Sequence, residues 1–334
     1  MGGFNAVPLK YDKFRHLETI SFSDTPGPSR TKLPVTDVYR QLALYLSGTV
    51  TVDAGGADGV LTAESILSLM RNIKVEGTSR VRTKLSDIKN ADAAALYQIA
   101  HFLRGTPPLY SDPTPITKGS ALSPFSFMLP IEFSMPFSQD PRQSLLRTAQ
   151  EEVASLNLLI DWGNSADVFS AGTITAFTGT LRISAAEFVD EFIKGQKYSL
   201  HTIGYIEEDT IATNTKKQIR LKRGNVLRGV MLKQFTRSGV YYHTPHEAAV
   251  TEVALHVNRV EKKSFTWKEL QAQNKIDYGM VTVPTGYAFL DLMPEARYDT
   301  VVDTSRYDDI DIFLNVTGTA NSYVRAYPVE LIPE

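Results

Sequence analysis

From Leu156 to Trp162 the chain reads LNLLIDW, placing Leu156, Leu158, Ile160 and Trp162 on alternate positions. Far downstream, Ile310 to Val316 reads IDIFLNV, with Ile310, Ile312, Leu314 and Val316 in the same phase. A period of two belongs to a strand with one buried face, because successive side chains leave the pleat on opposite sides. Each run closes on a small polar turn, GNSAD and TGTAN.

The same pattern organises the rest of the chain. DVYRQLALYLSGTVTV, from Asp37, predicts a half-buried strand through Leu42, Leu44 and Leu46. LTAESILSLMRNIKVEG predicts a short helical turn opened by Thr62, then a strand through Ile73 and Val75. In NADAAALYQIAHFLRG the period changes: Leu96, Ile99, Ala100 and Leu103 share a helix face and Gly105 stops it. A proline-rich loop follows, and PFSFMLPIEF, VASLNLLIDW and TITAFTGTLRI are strand candidates up to residue 183. SAAEFVDEFIKG, residues 184–195, predicts a connecting helix, with Ser184 as cap, Glu187 reaching back and Gly195 as stop.

Beyond it, YSLHTIGYI, KKQIRLKRG, NVLRGVMLKQF, TEVALHVNRV, YAFLDLMP, DIDIFLNV and NSYVRAYPVEL are short, rich in β-branched and aromatic residues, and bounded by turn formers. So many short strands imply a sandwich or barrel. TWKELQAQNKIDYG is the helical exception, and it follows its strand as the alanine-rich helix follows the IKV strand. An alternating strand with glycine, a strand then a helix, an aromatic strand and the alternating strand of the opening recur in one order. The reading is all-β, a tandem duplication of one unit. Residues 1–34, which close on SDTPGPSRTKLP, read as an arm and linker, 35–183 as the first unit, 184–195 as the connector and 196–334 as the second unit.

At 334 residues the chain is too long for one ordinary core, which suits two units. Its 35 basic and 37 acidic residues give a formal charge of −2, which supplies no electrostatic reason for a nucleic acid partner. Having no cysteine, it has no disulfide, thiolate metal site or cysteine nucleophile. The first twenty residues lack the apolar run of a signal peptide and no stretch of 18 apolar residues occurs, so a cytosolic chain is expected.

Candidate chemistry is sparse. His243, His246, Glu247 and His256 are metal-ligand types, but their order does not fit the helical H-E-x-x-H pattern and Pro245 puts the first two in a loop. DAGGADG, Asp53 to Gly59, lacks the alternating oxygen ligands of a calcium loop. The pairs Glu151 and Glu152, Glu207 and Glu208, and Asp308 and Asp309 read as solvated loop charge. Trp162 and Trp267 read as core or contact residues, and the basic run of Lys222, Arg223 and Arg228 as a face turned to solvent or to a neighbouring subunit. No metal, no cofactor and no catalytic residue is expected.

QIRLKRGNVLRGVMLKQF, EVALHVNRVEKKSFTWKELQ, YAFLDLMPE, DTSRYDDIDIFLNV and YVRAYPVELIP resemble the major capsid proteins of tailless icosahedral bacteriophages with an internal membrane. The resemblance runs from Asp37 to the end and rests on order and texture rather than on a short motif. It implies two tandem jelly-roll β-sandwiches, a double jelly roll, with short connecting helices. It further implies a non-enzymatic structural protein that forms pseudo-hexagonal homotrimers, meets neighbouring capsomers and penton, vertex and minor capsid proteins, and is assembled into a virion capsid in the host bacterial cytoplasm. An amino-terminal arm near the membrane is also implied, for which Lys10, Lys13 and Arg15 are the candidate residues. The rival readings are a two-sandwich carbohydrate-binding protein or glycan hydrolase, since fold does not dictate function, and a minor spike or vertex protein.

Overall fold

The computed structural model describes residues 12–35, 38–79, 88–136, 144–148, 153–188, 198–238, 242–293 and 302–333. The first half contains β1 (Asp12–Ser23), β2 (Gly27–Leu33), β3 (Val38–Val52), β4 (Met70–Ser79), β5 (Lys89–Ala91), helix α1 (Ala93–Arg104), β6 (Ser123–Glu132), β7 (Val153–Trp162) and β8 (Ile174–Phe188). These strands pair antiparallel in the orders β1-β8-β3-β6 and β2-β7-β4-β5.

After β9 (Tyr198–Ile203) the second half contains β10 (Ile206–Asp209), β11 (Asn214–Arg220), β12 (Val226–Ser238), β13 (Val250–Val257), β14 (Val260–Thr266), helix α2 (Trp267–Asp277), β15 (Tyr287–Asp291), β16 (Ile310–Val316) and β17 (Ser322–Pro333). Their orders are β10-β17-β12-β15 and β11-β16-β13-β14. Among the described residues each half therefore has the same eight principal strands in two antiparallel sheets, the arrangement of a jelly roll, and in these the second repeats the first strand for strand.

Even the irregularities recur. The β8–β3 ladder slips between Ala186 and Glu187, and the β17–β12 ladder slips between Val329 and Glu330. The β7–β4 ladder slips between Asp161 and Trp162, and the β16–β13 ladder slips between Asn315 and Val316. The two alternating runs are thus the same strand, β7 and β16, of a duplicated unit.

Alternation decides what each sheet buries. Leu42, Leu44 and Leu46 of β3, Phe127 and Leu129 of β6, and Leu156, Leu158 and Ile160 of β7 fill one sandwich. Val230 and Leu232 of β12, Val253 of β13, and Ile312 and Leu314 of β16 fill the other. The helices start and stop as their sequences predict. Asp92 caps α1 by accepting from the Ala95 amide and Gly105 ends it at φ 69°. Thr266 and Glu269 form a capping box on α2, and Gly279 follows at φ 60°.

Two expectations change. Residues 184–188 are not the start of a connecting helix but the end of β8: Ala185 pairs with Leu42 and continues the inward series Phe177, Leu181, Ile183. Ladder pairing overrides a helical pattern of that length; residues 189–195 lie outside the described residues. The segment expected as arm and linker supplies two strands, since β1 pairs with β8 and β2 with β7. Pro28 is tolerated there because β2 is the edge strand of its sheet, the place in a sheet that accepts a proline.

Candidate assembly site at the junction of the two halves

The two jelly rolls are welded rather than loosely tethered. β9 pairs antiparallel with β17 and, at Ile203 and Lys89, parallel with β5, so hydrogen bonding crosses from one half to the other. The outer face of β10-β17-β12-β15 lies against the first half: Met231, Tyr287, Phe289, Tyr327 and Val329 belong to the same buried cluster as Phe102 and Leu96 of α1. Phe102 stacks on Phe289 with ring centroids 5.7 Å apart.

One row of that face carries charge. Ladder register puts Tyr287, Lys233, Arg325 and Glu207 side by side on β15, β12, β17 and β10. Lys233 Nζ stands 2.7 Å from Glu64 Oε1 and 3.3 Å from Asp92 Oδ1, both in the first half. Arg325 spans the seam, with Nη1 3.0 Å from Asp92 Oδ2 and Nε 2.6 Å from Glu207 Oε2. The Tyr327 hydroxyl donates to Asp92 Oδ2 at 2.7 Å and the Tyr287 hydroxyl to Glu64 Oε1 at 2.5 Å.

Burial raises the pKa of Asp92, but Lys233 and Arg325 outweigh it and hold the carboxyl far below the usual range. Glu64 goes the other way, because burial raises it more than Lys233 lowers it. Burial, reinforced by Lys233, pushes His243 down to about 2, so its imidazole is neutral against Lys233 Nζ at 3.1 Å. At neutral pH this arrangement is a satisfied structural network with directional bonds; it fixes one docking register between the halves.

A second buried lysine lies nearby. Burial drives Lys89 down to about 7, partly offset by Glu132. It stands among Leu96, Ile99, Leu103 and Ile203, with the Arg104 guanidinium bound to Glu132.

The residues singled out in the sequence are dispersed. Lys10 lies outside the described residues. Lys13 and Arg15 are in β1, and Arg15 Nη2 is 2.8 Å from Oε1 of the buried Glu187. His246 Nε2 meets Ser322 Oγ at 2.8 Å, His256 packs edge-on to Phe313, and Glu247 receives Lys268 and Gln271. Among the described residues no three metal-ligand side chains converge. Asp58 Oδ1 caps the Lys118 amide inside the glycine-rich turn. Trp162 packs on Phe22 and donates to Ser29 Oγ, and Trp267 is buried as the first residue of α2. Arg228, expected on an outward face, is buried against Asp291; Lys222 and Arg223 are exposed.

Sequence reasoning missed Glu64, Asp92, Lys233 and Arg325. A signal existed in VMLKQF: Val230 and Leu232 face one way while Met231, Lys233 and Phe235 face the other, so apolar residues fall on both faces, as in a sheet covered twice.

No family model matches the chain, and no curated protein is found as a relative. Solved structures do match. The major capsid protein of STIV, Sulfolobus Turreted Icosahedral Virus, superimposes with a TM-score of 0.75 at 13% identity, covering 96% of this chain and 97% of that one. The chain has the fold of the double jelly-roll major capsid proteins. The major capsid protein P2 of bacteriophage PM2 matches with a TM-score of 0.63 at 13% identity over 96% of this chain and 97% of its own. The Faustovirus major capsid protein matches at 0.58 and 10% identity over 100% and 93%. The double jelly roll thus spans almost the whole of both chains in each comparison, with both halves and their junction included.

Proposed function

We propose that this chain is the major capsid protein of an icosahedral virus with an internal membrane, acting by self-assembly and without catalysis. The observation that carries the reading is the duplicated jelly roll itself, matched end to end by capsid proteins of STIV and PM2. A chain made of two like towers, taken three at a time, has six similar lobes and a pseudo-hexagonal outline, which tiles a shell from one gene product. The welded junction suits that role, because a tile must keep its two towers at a fixed angle.

The partners in this reading are further copies, then neighbouring capsomers and vertex and minor proteins, with assembly in the cytoplasm of a bacterial host. A membrane-facing role for the amino-terminal arm falls to Lys10 and Lys13 before Arg15, since Arg15 already holds Glu187. Of the paired carboxylates, Glu207 is bound by Arg237 and Arg325 and Glu208 by Lys217, which favours a structural over a hydrolytic use. Expression of the full chain followed by negative-stain imaging tests the proposal: hexagonal plates or closed shells support it, and a dispersed monomer that cleaves or binds glycans favours the enzyme or lectin reading.

A further inference from the structure

The junction holds a lysine amine against a carboxyl group in a site almost closed to solvent. Lys233 Nζ is 2.7 Å from Glu64 Oε1, and the two side chains are 0% and 7% exposed. Lysine is rarely buried to this extent, and aromatic rings wall the site: Nζ lies 5.6 Å from the centre of the Tyr287 ring and 5.5 Å from that of Phe235. Nδ1 of the neutral His243 stands 3.1 Å from Nζ on another side and helps to fix its position. The equally buried pair of Arg228 and Asp291 carries a guanidinium instead, which stays protonated and is no nucleophile.

The two carboxyl groups that face Lys233 differ. Asp92 Oδ1 accepts from the Ala95 amide and from Lys233, and Oδ2 from Arg325 and the Tyr327 hydroxyl. Although burial opposes it, Lys233 and Arg325 keep this carboxylate ionised, which makes it a poor electrophile. In Glu64 burial prevails over Lys233 and favours the neutral acid. The Tyr287 hydroxyl donates to Glu64 Oε1 at 2.5 Å and polarises its carbonyl. An amine, an uncharged acid, a hydroxyl donor on its oxygen and a neighbouring carboxylate that can carry a proton are the parts of an acyl transfer.

We propose that Lys233 and Glu64 condense to an isopeptide bond that joins the two jelly rolls covalently, with Asp92 carrying the proton and Tyr287 steadying the oxyanion. The ion pair of the structure is the reactant state. A proton passes from the Lys233 ammonium to Glu64 along their hydrogen bond, leaving an amine and a carboxylic acid with no change in total charge. The Nζ lone pair attacks Cδ of Glu64 and forms the C–N bond, while the carbonyl electron pair moves to Oε1, where the Tyr287 hydroxyl meets it. Asp92 Oδ1, 3.3 Å from Nζ, takes a proton from the nitrogen and returns it to the Glu64 hydroxyl. As the carbonyl reforms, the C–O bond breaks and one water leaves. Ammonium and carboxylate thus become amide and water with no other reactant. Two ions that are costly to bury become one neutral group, and holding the partners in contact supplies the entropy that condensation in solution lacks. This inference stands independently of the self-assembly reading.

The test is the intact mass of the purified, folded full chain, followed by denaturation and trypsin digestion. The expected mass is that of the sequence less one water, and the digest contains peptide 41–71 joined to peptide 229–237, uncut after Lys233. Lys233→Arg keeps the charge and removes the nucleophile, and is expected at its full sequence mass. Tyr287→Phe and Asp92→Asn are expected to contain at least about tenfold less joined chain than wild type at equal, early times after synthesis. A wild type at its full sequence mass that trypsin cuts after Lys233 overturns the proposal, and this result needs no variant to fold. Loss of a water without the joined peptides, as ring closure at Asp58 and Gly59 would produce, overturns it as well. Joining as fast in Tyr287→Phe and Asp92→Asn as in wild type overturns the roles given to those side chains.

Discussion

Lys233 of the second jelly roll and Glu64 of the first form an ion pair 2.7 Å long in which neither side chain meets solvent appreciably. Two charges taken out of water in this way are held by the geometry around them, and removing one leaves the other uncompensated. Lys233→Met is expected to cost about 3–5 kcal/mol in urea unfolding, and adding Glu64→Gln is expected to recover part of that loss. A cost under about 1 kcal/mol for the single variant would show that the network does not hold the halves together.

Asp92 gives the junction an acid limit. Its folded pKa lies below the ordinary 3.8, so its contribution is complete above that value and disappears as the pH falls below it. Asn keeps the helix cap but removes the charge. The wild type is therefore expected to exceed Asp92→Asn in stability by a constant margin down to about pH 4, and the margin to close as the solution is acidified further. A margin undiminished at pH 2 would contradict the assignment.

Lys89 acts in the opposite sense. With its folded value near 7 and its unfolded value near 10.5, the unfolded chain binds more protons between those limits, so stability from this group rises with pH across that window. Lys89→Met is expected to be more stable than wild type by about 1–3 kcal/mol at pH 6 to 7, with the advantage shrinking towards pH 10. Melting curves of the two proteins at pH 6, 8 and 10 check this, and an advantage that grows with pH would refute it.

Gly48 lies where β3 passes between β6 and β8, and a methyl group there would run into the Thr178 carbonyl and the Phe125 ring. Gly48→Ala is expected to destabilise the first half by about 1–3 kcal/mol through overpacking, despite the usual gain from replacing a glycine in a strand. A thermal shift upward would mean that the strands can part at no cost.

Much of this architecture was legible because period-two alternation is local. Leu156, Leu158 and Ile160 announce their strand without reference to anything else, and so do Ile312 and Leu314. The stop of α1 at Gly105 is equally local. What escaped were decisions made at a distance. Ser184 to Phe188 carry a helical pattern, yet their ladder with β3 makes them strand. Gly27 and Pro28 look like linker, yet an edge strand accepts them.

The junction was harder still, since Asp92 and Lys233 are far apart in sequence and neither carries a motif. Only the two-faced burial of Met231, Lys233 and Phe235 hinted at a covered sheet. The recurrence of the ladder slips and of the helix caps is what lets one half be read residue by residue against the other.

The central claim, that this chain works by assembling with itself, is tested most directly by the mass of the purified protein in solution by light scattering, with negative-stain images of the same peak. The account predicts about 111 kDa, three times the 37.1 kDa chain, and particles with a hexagonal outline. A stable 37.1 kDa monomer at all concentrations, with no ordered particles, would contradict it.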